Sequence, residues 1–187
     1  MLIGIIHLVV LVILGFMLIG TYNRLVALRQ NANQAFADID VQLKQRQDLV
    51  PNLVETVKGY AAHESGTLEA VTAARAAAAS ATGVQDKVQA ENALSGALRQ
   101  LFAVAEAYPD LKANTNFIRL QDELTDIENK LAAARRFFNN TVSEFNASIQ
   151  QFPAVLIAGA MGFQPRSFFD LGEDRAAATA APEVKFT

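Results

Sequence analysis

The chain has 187 residues, a formal charge of −3 and no cysteine. The missing thiols exclude disulfide scaffolds, thiolate metal sites and thiol catalysis together. The lack of a Lys/Arg surplus argues against a nucleic-acid partner, because phosphate binding needs clustered cations.

Met1 to Gly20 carries no charged side chain. Twenty residues at helical rise span ~30 Å, the thickness of a bilayer's hydrocarbon core. The basic start and small-residue exit of a cleaved signal peptide are lacking, so residues 1–20 read as an uncleaved transmembrane anchor with Leu2, Ile6, Val10, Leu14 and Ile19 in the bilayer. Arg24 and Arg29 follow before the first acid, Asp38. The positive-inside rule then places the N-terminus outside and the remainder in the cytoplasm. An ionisable residue inside a span is a functional candidate by default. His7 is nevertheless read as a neutral imidazole near the outer end, hydrogen-bonded to a neighbouring helix or headgroup water.

Helical patterning begins directly after the anchor. Leu25, Leu28, Ala32, Phe36, Ile39, Leu43, Val50, Leu53, Val57 and Tyr60 recur mostly at three- and four-residue steps, with Arg46 standing where another apolar residue would fit. Pro51 predicts a kink or break, since proline removes a donor and crowds the preceding turn. Helix is expected to resume through Asn52 to about Ser80, with Thr82-Gly83 as the stop. A further helix is predicted from Val84 to Ala107, ended by Tyr108-Pro109-Asp110, with Asn114 or Thr115 capping the next. That next helix is the clearest element: Phe117, Leu120, Leu124, Ile127, Leu131, Ala134, Phe138, Thr141 or Val142, Phe145 and Ile149, with charges between. It extends to about Phe152, where Pro153 follows. Ala154 to Phe163 is apolar but too short to span a bilayer, and reads as a capping hairpin or short helix, or else as an interfacial or subunit contact. Phe168 and Phe169 look exposed, and from Gly172 the Ala-rich tail reads as disordered. Period-two alternation is absent nearly everywhere. The reading is all-α: an anchor at 1–20, an antiparallel up-and-down bundle of three to four long helices over 21–171, and a disordered tail over 172–187.

Chemistry is hard to find in these residues. His63 beside Glu64 lacks a second histidine, position 67 being Thr, so H-E-x-x-H is not met and His63 reads as an exposed structural residue. Glu-x-x-His motifs of di-iron bundles are absent. Asp126 and Lys130, four apart, form an ordinary surface pair, as do Glu128 and the Arg135-Arg136 side of the same helix. No phosphate loop is present. The sequons at Asn139 and Asn146 fall on the long helix and are discounted. No catalytic, cofactor-binding or metal residues are assigned.

Two stretches, Asp38 to Ala74 and Leu101 to Phe163, resemble the LemA family of bacterial membrane proteins through the blocks QR-x-DLVPNLVETVKGYAAHE, AEAYPDLKAN, ARRFFN and FP-x-x-x-IAG. With the anchor, the resemblance runs from the chain start to about Phe169 and leaves the tail after Gly172 uncovered. It implies a single-pass anchor with the N-terminus outside, an up-and-down bundle, no established enzymatic activity and no cofactor. The motif residues it marks as structural or interfacial are Pro51, Asn52, Tyr60, His63, Tyr108, Pro109, Arg135, Arg136, Phe152 and Pro153. Of these, Arg135 and Arg136 are suited to bridging a neighbour's carboxylates.

The expected function is a membrane scaffold, not an enzyme, that forms a homo-oligomer at the bacterial inner membrane and remodels it. The alternative is an adaptor for a membrane partner such as a protease. The expected partners are therefore the lipid bilayer, further copies of the chain and a membrane protein, with no nucleic acid.

Overall fold

The structure, a computed structural model, describes residues 2–169; the tail expected to be disordered, 172–187, lies outside them. Helix α1 runs from Leu2 to Lys58, α2 from Ser65 to Ser80, α3 from Val84 to Glu106, the single-turn α4 from Pro109 to Lys112, and α5 from Thr115 to Gln150, followed by a 3-10 turn at Ala154–Leu156. At 1.5 Å per residue α1 is ~85 Å long. Its first third is apolar and fully exposed, and its burial starts at Leu25. Anchor and bundle therefore share one uninterrupted helix.

The break expected at Pro51 is not found. Proline leaves the Gln47 carbonyl, four residues back, without its N–H partner. Arg75 of α2 supplies the replacement, its Nε donating to that carbonyl at 2.6 Å, and α1 continues to Lys58. The chain instead reverses over 59–64, so the single helix expected from Asn52 to Ser80 is two elements. Ala61 is buried in this reversal, its N–H donating to the Val57 carbonyl at 2.8 Å. Tyr60, expected on the apolar face, has left the helix and is exposed.

The four long helices run up, down, up and down relative to the anchor. Helix α5 lies antiparallel along α1, and α2 packs on both α1 and α3. Leu49, Val50, Leu53 and Val57 of α1 meet Leu68 and Val71 of α2, Leu94, Leu98 and Leu101 of α3, and Phe117 to Ile127 of α5 in the main core. Asn114 caps α5 as expected, its Oδ1 accepting from the N–H groups of Asn116 and Phe117; such caps contribute about 1 kcal/mol. Gly83, at a φ of 80°, starts α3 in a conformation glycine adopts without steric cost.

Helices α2 and α3 stop short of the membrane-proximal half of the α1/α5 pair, and the segment after α5 covers it. Two asparagines on α5 hold that segment through its backbone. Asn146 accepts from the Arg166 N–H at 2.8 Å and donates to its carbonyl at 2.9 Å. Asn139 does the same for Phe169, at 2.9 and 3.0 Å. Phe169, expected to be exposed, is buried against Ala32, Ile39, Leu131 and Phe138; Phe168 beside it is exposed as expected. The pairing explains the correction: alternate residues of an extended segment face opposite sides, and the clamps point Phe169 inward.

Candidate functional site

The least expected feature lies halfway up the bundle, around Pro51. Arg46 occupies an apolar register position of α1 and is 2% exposed, among the largest fully buried side chains. Its guanidinium donates to Glu91 at 3.1 Å and to Ser95 Oγ at 2.8 Å, both on α3. Its Nε lies 2.9 Å from a Glu128 carboxylate oxygen of α5, an ion-pair contact rather than an aligned hydrogen bond. Gln47 donates to the second Glu91 oxygen at 2.9 Å, while its own carbonyl is the one orphaned by Pro51 and taken by Arg75. One stretch of α1, from Arg46 to Pro51, thus reaches α2, α3 and α5 through polar contacts.

Charges taken from water are tolerated only when paired and hydrogen-bonded. Burial pushes the Glu91 carboxyl above its ordinary value, and the Gln47 hydrogen bond and the Arg46 charge pull it back. Glu128, expected to pair with arginines on its own helix, pairs across the bundle with Arg46 instead. Asp126 and Lys130 form the surface pair expected of them. Beside Arg46, an open cleft of about 420 Å³ separates α3 from α5, lined by Ser95, Arg99, Phe102, Gln121 and Glu128 among others.

The Pro51 arrangement carries a direct test. Arg75→Leu strands a part-buried carbonyl and is expected to cost ~1–3 kcal/mol in denaturant unfolding of the detergent-solubilised protein. In a Pro51→Ala background the restored N–H takes over the Gln47 carbonyl, and the same substitution is expected to cost clearly less. Equal losses in both backgrounds would mean that Arg75 acts elsewhere.

Four of the remaining motif residues, Tyr60, His63, Tyr108 and Pro109, gather at the membrane-distal end. Tyr108 caps the start of α4, with Pro109 as its first residue, and its hydroxyl donates to Glu64 at 3.3 Å. Asn114 donates to the Tyr60 hydroxyl at 2.8 Å. Leu111 and Ala61 fill the space beneath. The blocks around Tyr60 and Tyr108 therefore build one cap joining the α1–α2 and α3–α5 connections. His63 sits exposed in that cap and Asn52 is exposed on α1.

Arg136 is exposed and Arg135 half-buried; no described residue accepts from the Arg135 Nε. The Asn139 and Asn146 sequons are engaged in the backbone clamps. Phe152 and Pro153 lie at the opposite, membrane-proximal end, joined by a cis peptide, with Phe152 exposed. Leu2, Ile6, Val10, Leu14 and Ile19 are all exposed along the apolar part of α1, which is long and apolar enough to cross a membrane. His7 Nδ1 lies 2.8 Å from the Ile3 carbonyl of its own helix.

Arg46 was marked in the sequence only as a polar residue in an apolar row. Its partners Glu91, Ser95 and Glu128 carry no signal, nor does Arg75 as the partner of the Gln47 carbonyl, because nothing in one sequence pairs residues so far apart.

The sequence profile of the LemA family matches residues 35–186. It starts after the anchor and continues past Gly172, where the resemblance was expected to stop. Magnetosome protein MamQ of Magnetospirillum gryphiswaldense is 23% identical over 178 residues, covering 81% of this chain and 65% of its own. Magnetosome protein MamQ 2 of Paramagnetospirillum magneticum is 22% identical over the same shares. Protein LemA of Metamycoplasma hominis is 25% identical over 163 residues, 84% of this chain and 73% of its own. The chain thus spans 65% of the length of the magnetosome relatives it matches, and none of these names is that of an enzyme.

Proposed function

Since the chain belongs to the LemA family, we propose that it is a membrane-anchored scaffold without enzymatic activity, which self-associates and thereby organises or remodels the bilayer that holds it. The observation that carries this reading is the continuity of α1: an exposed apolar run passes into the bundle core within one helix. Such a joint holds the bundle at a set angle to the membrane, which side-by-side packing of copies requires. Val41, Ile118 and Phe137 are large apolar side chains left exposed outside the apolar part of α1. Two relatives are named as magnetosome proteins, which fits a membrane-organising role. Arg46, the largest of the fully buried side chains, is occupied by Glu91, Ser95 and Glu128, a structural use of charge.

In this reading the membrane is the bacterial inner membrane, with the N-terminus outside and the bundle in the cytoplasm, as Arg24 and Arg29 next to the span favour. The second reading, an adaptor for a membrane partner such as a protease, draws on the exposed Phe168 and the cleft beside Arg46.

Two readouts test the proposal. Electron microscopy of the full-length protein, extracted with its native lipid, is expected to show large uniform assemblies; particles of single-bundle size would sink the scaffold and favour the adaptor. A lone cysteine at the exposed Ser80 (Ser80→Cys) is expected to react with an impermeant maleimide only after cells are permeabilised. Labelling of intact cells would reverse the orientation.

A further inference from the structure

Outside the anchor, the two most exposed large apolar side chains among the described residues are Phe152 and Leu156, at 74% and 71%. Val155 and Met161 are exposed beside them. All four belong to the turn-rich segment that follows α5. Its other face is firmly seated: Ala154, Ala158 and Phe163 pack on Leu25, Leu28, Phe145 and Ile149. The Phe163 ring meets Tyr22 edge-on at 5.7 Å and lies 5.0 Å under the Arg29 guanidinium.

These contacts fix the height of the segment. Tyr22, against Phe163, is two residues beyond Gly20 and Leu25 is five, rises of ~3 Å and ~7–8 Å, and the headgroup layer adds ~5–7 Å to each side of the hydrocarbon core. The segment therefore sits where the anchor leaves the lipid. We propose that residues 151–161 form a second membrane contact, with Phe152, Val155 and Leu156 immersed in the lipid interface beside the anchor. The proposal rests on the reading that the apolar part of α1 spans the bilayer.

The segment's chemistry suits that occupant. No charged side chain occurs from Gln150 to Pro165, so immersion desolvates no ion. Irregular backbone is tolerated near lipid only when its polar groups find partners, and here the turns supply them: Val155 N–H to Gln151, Leu156 to Pro153, Ile157 to Ala154, Met161 to Ile157 and Phe163 to Ala158. Arg24 and Arg29 at the same level are placed for lipid phosphates. Two attachment points, one through the bilayer and one upon it, favour a lean of the anchor toward the side that carries this segment.

The chain has no tryptophan, so a single one reports its own surroundings. Leu156→Trp, Val155→Trp, Leu14→Trp and Phe137→Trp proteins, each full-length, are reconstituted into vesicles of equimolar phosphatidylcholine and phosphatidylglycerol carrying shallow-brominated acyl chains. Emission at positions 156 and 155 is expected to be blue-shifted and quenched about twofold relative to unbrominated vesicles, while position 137 is unaffected. Quenching at 14 with none at 156 or 155 would overturn the second contact alone. No quenching by deep-brominated chains at 14 either would overturn the spanning reading beneath it. A blue shift at 156 without quenching would show burial against protein and also refute the proposal.

Discussion

Arg46→Leu is expected to lower the unfolding free energy of the detergent-solubilised protein by ~3–5 kcal/mol at neutral pH, the usual cost of stripping one partner from a buried ion pair. The substitution leaves Glu91, 1% exposed, without the guanidinium that offsets its burial. Arg46→Leu combined with Glu91→Leu is expected to regain most of the loss, since an apolar pair in a buried site matches or exceeds an ion pair. A small loss in the single variant, or no recovery in the double, would show that the cluster is solvated.

The pH dependence follows from the same group. The Glu91 carboxyl is raised above its ordinary 4.5, so the folded state keeps its proton to higher pH than the unfolded chain does. The associated stabilisation is complete below the unfolded value and is lost as pH rises through the folded one. Glu91→Gln is expected to flatten that decline, and removal of Arg46 to push its upper limit to higher pH. Denaturant midpoints across the acidic range measure both.

Phe138→Ala is expected to cost ~3–5 kcal/mol, the range for deleting a buried aromatic ring. Phe138 is 1% exposed and its ring centroid lies 5.5 Å from that of Phe36. It also meets Phe169 in the cluster with Ile39, Leu43 and Leu131. The effect should therefore reach beyond α5. Hydrogen exchange at the Phe169 amide, held by Asn139 in the native protein, is expected to quicken more than exchange at Leu101 in the distal core. Equal acceleration at both would mean that the two ends unfold as one unit.

The elements that could be read from sequence are those whose reasons are local. The periodic stripe of α5, its Asn114 cap, the start of α3 after Gly83 and the charge-free anchor all carry their causes within a few residues. Whether Pro51 ends its helix is not a local matter: the orphaned Gln47 carbonyl is satisfied by Arg75, 28 positions away, and α1 continues. The reversal at 59–64 went unseen because Val57, Ala61 and Leu68 keep a nearly helical spacing through it. Phe169 looked exposed because its burial depends on clamps from Asn139 and on a groove that α2 and α3 leave empty. The polar core was the least legible, since Arg46 and Glu91 lie on different helices and meet only through the packing of the bundle.

The single helix that forms both span and bundle wall turns the molecule into a pointer. A span that mismatches the hydrocarbon thickness accommodates by tilting. From Gly20 to Lys58 the helix reaches ~57 Å, so a tilt change of ~10° swings the distal cap sideways by ~10 Å. Differences of a few ångströms in bilayer thickness are thereby magnified at Tyr60 and Tyr108, far from any lipid.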